Sequence, residues 1–127
     1  MASVVLDASA MLAVLNGEPG AELVLAELDD AAISTVNYAE VTSKLAGGDA
    51  DRSAVSDAIL RLGVRIVDFD KGLADRTGEL RPLTRHRGLS LGDRACIALA
   101  EREGAPALTA DRRWRDVMPT VEIRLFR

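Results

Sequence analysis

Four acidic residues, Asp7, Glu40, Asp93 and Asp111, have the types and positions that could do chemistry. Each of them follows a predicted strand or lies in the first turns of a predicted helix. Ligands of open parallel sheets bind outside the carboxyl ends of the strands, so these carboxylates are expected to meet at one edge. Carboxylates in close contact oppose folding unless a cation neutralises them.

A hard divalent cation is the partner that such a set of carboxylates favours. Mg²⁺ and Mn²⁺ prefer oxygen ligands, and Mg²⁺ usually keeps several waters and takes few carboxylates. An ion of this kind can activate water and stabilise charge on a phosphodiester. The four acids therefore indicate metal-assisted hydrolysis.

Structural roles also account for each acid taken alone. Asp7 and Asp111 could cap the helices that follow them. Glu40 stands three residues after Asn37, which is the spacing of a capping box, and four residues before Lys44, a possible ion-pair partner. The common position of all four acids nevertheless favours a metal site.

Asp93 is the most informative of the four positions. It stands three residues after Ser90, which matches a helix-start signature. The residues three, four and seven positions further on are Cys96, Ile97 and Ala100. The carboxylate thus rises from an apolar helix face, where an acid needs a partner, whereas Arg94 is expected on a different face.

The elements that must position these acids alternate between strands and helices. Strands are predicted at 3–6, 31–34, 64–67 and 107–109, with an edge strand at 121–125. Helices are predicted at 8–15, 21–28, 36–45 (ended by Gly47–Gly48), 55–62, 71–80, 90–103 and shortly after Asp111. A loop is predicted at 81–88. This order predicts a single α/β domain over residues 1–127, a three-layer α/β/α sandwich with a mainly parallel sheet of four to five strands.

Composition narrows the class of protein further. Apolar residues make up 48% of the chain and the net charge is −4, which excludes a disordered chain and argues against bulk electrostatic binding of nucleic acid. A local basic rim remains possible. The single cysteine, Cys96, excludes an internal disulfide and is predicted to be a buried, inert thiol. With no signal-peptide pattern or long apolar run, a soluble cytoplasmic protein is expected.

Four segments that carry the acids resemble a known family. They are Val4–Ala10 (VVLDASA), Ile33–Val41 (ISTVNYAEV), Leu89–Cys96 (LSLGDRAC) and Leu108–Asp111 (LTAD). Each motif is weak alone, but their order and spacing resemble PIN-domain proteins over essentially the whole chain. Within that family, the order and spacing resemble the VapC-type toxins of bacterial type II toxin–antitoxin systems.

The resemblance implies an endoribonuclease that depends on Mg²⁺ or Mn²⁺ and hydrolyses RNA with a metal-activated water. It implies that Asp7 and Asp93 are the principal metal ligands. Glu40 and Asp111 would complete the catalytic site, directly or through waters.

Further residues are assigned supporting roles by the same resemblance. Ser9 and Thr109 match small hydroxyl positions that line such sites, and Asp116 is a further candidate that is expected to be mainly exposed. Basic residues flank the acids at 81–87 and 112–115. Those predicted to contact RNA are Arg85, Arg87, Arg112 and Arg113. His86, the only histidine, is not expected to act as a general base because it lies in the predicted basic loop.

Partners are implied as well. Toxins of this kind are held inactive by a cognate antitoxin that inserts a segment near the acidic pocket, and they form homodimers. The expected partners are therefore RNA, an antitoxin protein and a second copy of the chain, with no membrane.

Three other classes of protein are alternatives to the endoribonuclease hypothesis. A haloacid-dehalogenase-type, metal-dependent phosphatase needs a second acid two residues after Asp7, where this chain has Ser9. A receiver domain needs paired acids and a late lysine, but the only lysines are Lys44 and Lys71. A non-catalytic PIN-like domain that binds RNA or protein stays open.

Overall fold

The computed structural model describes residues 1–45 and 51–127. Within these ranges a five-stranded parallel sheet has the order β3-β2-β1-β4-β5. The strands are β1 (Val4–Leu6), β2 (Ala31–Ser34), β3 (Arg65–Val67), β4 (Ala107–Thr109) and β5 (Ile123–Leu125). The helices are α1 (Ala8–Asn16), α2 (Ala21–Leu25), α3 (Thr35–Leu45), α4 (Arg52–Arg61), α5 (Lys71–Thr84) and α6 (Leu91–Glu103), with short 3₁₀ helices at Arg85–Arg87 and Arg112–Trp114. This architecture confirms the predicted α/β class.

Strand β1 lies at the centre of the sheet and divides two apolar cores. Val4 and Leu6 join the core formed with helices α1 to α4, while Val5 joins the core formed with α5 and α6. Side chains alternate between the faces of a strand, so this split follows directly from the pleat. Both faces of the sheet are covered, which explains why the central strands are apolar without visible alternation.

The predicted loop at 81–88 is wrong. Helix α5 continues to Thr84 through Pro82, and the 3₁₀ helix Arg85–Arg87 follows, with Gly88 as its left-handed C-cap. The buried Thr84 hydroxyl donates to the Leu80 carbonyl at 2.9 Å, which holds the last turn together although Pro82 lacks a backbone donor. His86 accordingly lies in a helical turn.

The helix predicted at 21–28 is shorter than expected and ends at Leu25. The chain then tightens into 3₁₀-type turns, in which Glu27 N–H donates to the Val24 carbonyl and Leu28 N–H to Leu25. This tightening buries Leu28 and leaves Leu25 half exposed. The predicted stop at Gly47–Gly48 lies outside the described residues.

Candidate active site at the carboxyl edge of the sheet

All four predicted acids line one cavity of about 250 Å³, which we call the acidic cavity. It opens where β1 and β4 end and where α3 and α6 begin, so four distant segments meet there. Its lining residues are Asp7, Ala8, Ser9, Asn37, Glu40, Lys44, Asp93, Ala110 and Asp111. Of the residues assigned supporting roles, Ser9 lines this cavity, and Thr109 lies against it through its contact with Asp7.

Asp7 follows the central strand directly and is buried. Its Oδ1 accepts hydrogen bonds from the Ser9 hydroxyl at 2.6 Å and the Ala10 N–H at 2.9 Å. Its Oδ2 accepts from the Thr109 hydroxyl at 2.6 Å. Asp7 therefore caps α1 and is fixed across two strands at the same time.

Burial raises the pKa of Asp7 to about 6. The hydrogen bonds from Ser9, Thr109 and Ala10 oppose this rise because they stabilise the ionised form, while the negative charge of Asp93 adds to it. Without a cation, burial therefore makes the ionised form of Asp7 less stable than it would be in water.

The two hydroxyls that bind Asp7 also order the loop after β4. The Ser9 hydroxyl accepts from the Ala110 N–H at 3.0 Å, and the Thr109 hydroxyl accepts from the Asp111 N–H at 3.0 Å. Each hydroxyl acts as donor and acceptor together. The position of Asp111 is therefore coupled to that of Asp7.

Glu40 is held by Asn37, a residue whose part in the site was missed. The Asn37 side-chain amide donates to Glu40 Oε1 at 2.7 Å and to the Gly92 carbonyl at 3.1 Å, linking α3 to α6. Asn37 does not cap the helix, because its own N–H donates to the Ser34 hydroxyl oxygen at 3.2 Å. No ion pair joins Lys44 to Glu40 within the described residues. The spacing of Asn37 and Glu40, which suggested a capping box, instead allows the Asn37 amide to hydrogen-bond to the Glu40 carboxylate.

Gly92 gives Glu40 room to enter the cavity. A Cβ atom at this position would lie 2.6 Å from both carboxylate oxygens of Glu40. Such a distance is not tolerated, so a larger residue would force the Glu40 carboxylate to move. The glycine in the LSLGD segment is thus explained by close approach rather than by backbone conformation.

Asp93 forms the capping box that its spacing with Ser90 predicts. Its Oδ2 accepts from the Ser90 N–H at 2.8 Å, and its N–H donates to the Ser90 hydroxyl oxygen at 3.1 Å. The side chain is 20% exposed and faces the acidic cavity. Capping fixes the carboxylate and leaves it accessible, so the two roles are compatible.

Arg113 places an internal cation beside two of the acids. Its Nη2 lies 2.6 Å from Asp111 Oδ2 and 3.7 Å from Asp93 Oδ2. Its backbone N–H also donates to Asp111 Oδ1, so Asp111 caps the 3₁₀ helix. The Arg113 hydrogen bond is the main reason that the pKa of Asp111 is lowered. The acidic cavity thus attracts positive charge from its own chain.

The other arginines predicted to contact RNA differ in whether their side chains are already bonded within the chain. Arg87 Nη1 donates to the carbonyls of Arg113 and Arg115 and so supports the loop after β4. Arg112 is exposed, and Arg85 lines a neighbouring cavity. Asp116 is exposed and is not among the residues that line the acidic cavity.

Cys96 lies beneath the acids and is fully buried. Burial, followed by the charges of Asp7, Asp93 and Glu40, raises the pKa of its thiol well above the ordinary value. The thiol is therefore neutral, as the prediction of an inert cysteine requires.

The donor set fits a hard cation bound partly through water. In the part of the chain that the structure describes, no three His, Cys, Asp or Glu side chains converge tightly enough to hold a metal by themselves. Mg²⁺ commonly takes only one or two carboxylates and keeps its remaining waters. Asp7 and Asp93 could serve as such ligands, because both carboxylates are fixed by capping contacts on the lining of the acidic cavity.

Comparison with known proteins gives the family. The sequence model of the PIN domain matches residues 4–118, so the chain belongs to the PIN domain family. No curated protein matches the sequence significantly. Between residues 1–45 and 51–127, none of the helices has the length and apolar character needed to cross a membrane.

Solved structures of toxin–antitoxin proteins share the fold. The DNA-bound VapBC of Salmonella typhimurium aligns with a TM-score of 0.77 at 19% identity, covering 100% of both chains. VapBC2 of Rickettsia felis, bound to a promoter DNA fragment, gives 0.74 at 20% identity and covers 96% of this chain and 97% of its own. The sarcin–ricin loop cleaving toxin VapC20 of Mycobacterium tuberculosis gives 0.69 at 23% identity, covering 83% and 87%. The chain thus has the fold of VapC-type proteins.

The raised pKa of Asp7 predicts a stability penalty above acidic pH. Because the folded pKa of about 6 exceeds the unfolded value of 3.8, stability falls as pH rises between these values and then levels off. At pH 7 the penalty is on the order of 3 kcal/mol. Urea unfolding with EDTA gives the free energy of unfolding of Asp7→Asn and of wild type at each pH. The difference between the two proteins should shift in favour of Asp7→Asn from pH 4 to pH 7. The hydrogen bonds lost in Asp7→Asn change this difference equally at both pH values, so a difference that is the same at pH 4 and pH 7 would contradict the prediction.

The close approach of Gly92 and Glu40 predicts an energetic coupling between them. Gly92→Ala alone should gain little stability, because the helix preference of alanine is offset by displacement of the carboxylate. In a Glu40→Ala background the same substitution should stabilise by about 0.5–1 kcal/mol, since only the helix preference remains. Urea unfolding of the four proteins measures the coupling. Equal effects in both backgrounds would show that the contact does not form.

Proposed function

We propose that this chain is a metal-dependent endoribonuclease that hydrolyses RNA phosphodiester bonds, and that it is the toxin of a type II toxin–antitoxin pair. The observation that carries the proposal is the convergence of Asp7, Glu40, Asp93 and Asp111 on one cavity in a member of the PIN domain family. Four carboxylates at one sheet edge, with no ion pair to Asp7 among residues 1–45 and 51–127, are a costly arrangement. A cation that assists hydrolysis would offset this cost, because it neutralises the carboxylates.

The proposed cofactor is Mg²⁺ or Mn²⁺, with Asp7 and Asp93 as its principal ligands. The ion would supply Lewis acidity toward the phosphate and activation of the attacking water. Asp7 is suited to its role because Ser9, Thr109 and Ala10 fix both of its oxygens. A nearby cation would also keep Asp7 ionised at neutral pH, where its raised pKa otherwise allows partial protonation.

Glu40 and Asp111 support the site from opposite sides. The Asn37 amide directs Glu40 toward the cavity, and the backbone of the 3₁₀ helix directs Asp111. Arg112 is exposed and follows Asp111 directly, so its guanidinium group could bind an RNA phosphate, whereas Arg113 would first have to release Asp111. An acidic centre with a basic rim suits a polyanion that must approach carboxylates.

An antitoxin partner, a homodimer and a cytoplasmic location complete the proposal. The shared fold supports the antitoxin, since the solved structures from Salmonella and Rickettsia are of VapBC and a further one is a toxin–antitoxin complex from Klebsiella pneumoniae. The homodimer and the cytoplasmic location rest on the family resemblance alone. The pairing of Arg113 with Asp93 and Asp111 indicates the chemistry of such a partner. A basic side chain from an antitoxin would satisfy the same carboxylates.

Removing a principal ligand should abolish the activity. Asp93→Asn keeps the oxygen that caps α6 but lacks the charge, so cleavage of single-stranded RNA with Mg²⁺ should fall by about 100-fold or more. Circular dichroism should show the fold unchanged. The matched control is Asp57→Asn, an exposed acid on α4, which should cleave like wild type. Full cleavage by Asp93→Asn, or by wild type in EDTA, would contradict the metal-dependent mechanism. No cleavage by wild type with Mg²⁺ or Mn²⁺ would instead favour a non-catalytic binding domain.

Toxicity provides a separate test of the biological role. Expression of the wild-type chain in bacteria should arrest growth, and Asp93→Asn at the same soluble level should not. Coexpression of a small reading frame next to the gene should restore growth if it encodes the antitoxin. Normal growth with a soluble chain that cleaves RNA in vitro would rule out the toxin role while leaving the nuclease in place.

A further inference from the structure

A second cavity of about 400 Å³, which we call the basic cavity, adjoins the first turn of α6. Its lining includes Arg81, Arg85 and Arg94 together with Ser90 and Leu91, and no acidic residue. The same helical turn carries Asp93, which lines the acidic cavity. The two cavities are therefore neighbours of opposite charge at the first turn of α6.

Arg94 is the unusual member of the basic cavity because it is buried, with only 5% of its surface exposed. The sequence predicted a separate face for Arg94 but gave no reason to expect burial. Its Nη1 donates to the Thr77 carbonyl at 2.9 Å, and its buried Nε has no partner. Among the described residues, no carboxylate forms an ion pair with it. A buried guanidinium that lacks both a counter-charge and a partner for one donor is costly.

The surroundings of Arg94 increase the positive charge instead of cancelling it. Arg81 and Arg85 are exposed at the end of α5 and in the following 3₁₀ helix, and neither pairs with an acid within the described residues. The N-terminus of α6, a helix of 13 residues, begins at the same place, although the Ser90 and Asp93 N–H groups are already used by the capping box. Guanidinium groups beside a helix N-terminus form a favourable environment for a phosphate.

We propose that the basic cavity binds one phosphate group of the RNA backbone, next to the phosphodiester that is cut in the acidic cavity. This proposal rests on RNA being the substrate. The two cavities are separated by on the order of one helix diameter, about 10 Å, which a short single-stranded segment can span. Arg94 then acts as a positioning residue at the base of the cavity, while Arg81 and Arg85 close over the phosphate. Contacts of this kind fix the register of RNA and carry no sequence preference.

The salt dependence of RNA binding tests the proposal without any catalysis. Fluorescence anisotropy would follow a single-stranded oligoribonucleotide bound to Asp93→Asn, with and without Arg81→Gln plus Arg85→Gln. Each phosphate contact to a single strand contributes about 0.7 to the slope of log K against log salt. Because the two arginines share one phosphate, the paired substitution should reduce the magnitude of this negative slope by about 0.7, and not by twice that. Arg61→Gln, an exposed position on α4, serves as the matched control and should leave the slope unchanged.

Arg94 is tested in place, because a substitution of this buried residue could unfold the chain. The Nε–H signal of Arg94 would be followed by NMR in the wild-type protein during titration with inorganic phosphate and, separately, with acetate. Phosphate should shift the signal strongly and acetate weakly. Arg81→Gln plus Arg85→Gln should reduce the shift that phosphate causes.

The outcomes separate this proposal from the proposed function. RNA cleavage with an unchanged salt slope would overturn the phosphate site and leave the nuclease intact. An equal response to acetate, again with an unchanged slope, would assign the cavity to a carboxylate of a protein partner and would also overturn it. If RNA neither binds nor is cleaved, the proposed function and its RNA phosphate both fail, even where inorganic phosphate shifts Arg94.

Discussion

The structure depends on holding one carboxylate, that of Asp7, buried at the carboxyl end of the central strand. The surrounding elements are arranged to make this tolerable, because Ser9, Ala10 and Thr109 each donate a hydrogen bond to it. Those contacts draw together β1, β4 and α1. The raised pKa shows that hydrogen bonds alone do not cancel the cost of burial. A bound cation would therefore stabilise the ionised carboxylate of Asp7.

The carboxylates to which we assign the chemistry also cap helices in this fold. Asp7 caps α1, Asp93 completes the capping box of α6 and Asp111 caps a 3₁₀ helix. A helix N-terminus stabilises negative charge and fixes its direction, so each acid is oriented before any ligand arrives. Glu40 is the exception, since it lies within α3 and depends on Asn37 for its position.

Arginines organise the charge around the acids in two different ways. Arg113 neutralises Asp111 directly and reaches toward Asp93, so the acidic cavity is partly balanced within the chain. Arg94 lies one residue after Asp93 but is buried against α5, and it forms no ion pair with any carboxylate in the described part of the chain. A protein with a net charge of −4 thus concentrates positive charge next to its acidic centre. This local asymmetry, and not the overall charge, suits it to an anionic substrate.

The sequence by itself determined the fold class and the positions of the four acids at strand ends and helix beginnings. Short apolar strands, alternating helices and acids at the boundaries between them are all local patterns. It also determined the capping box of Ser90 and Asp93, which depends on only four consecutive residues. The tertiary structure alone decided how Asn37 acts, because its partner Gly92 is 55 positions away in the chain. It likewise decided that residues 81–87 are helical and that Arg94 is buried against α5. Patterns of neighbouring residues specify helices and strands, whereas the partners of a polar side chain depend on contacts that only the folded chain creates.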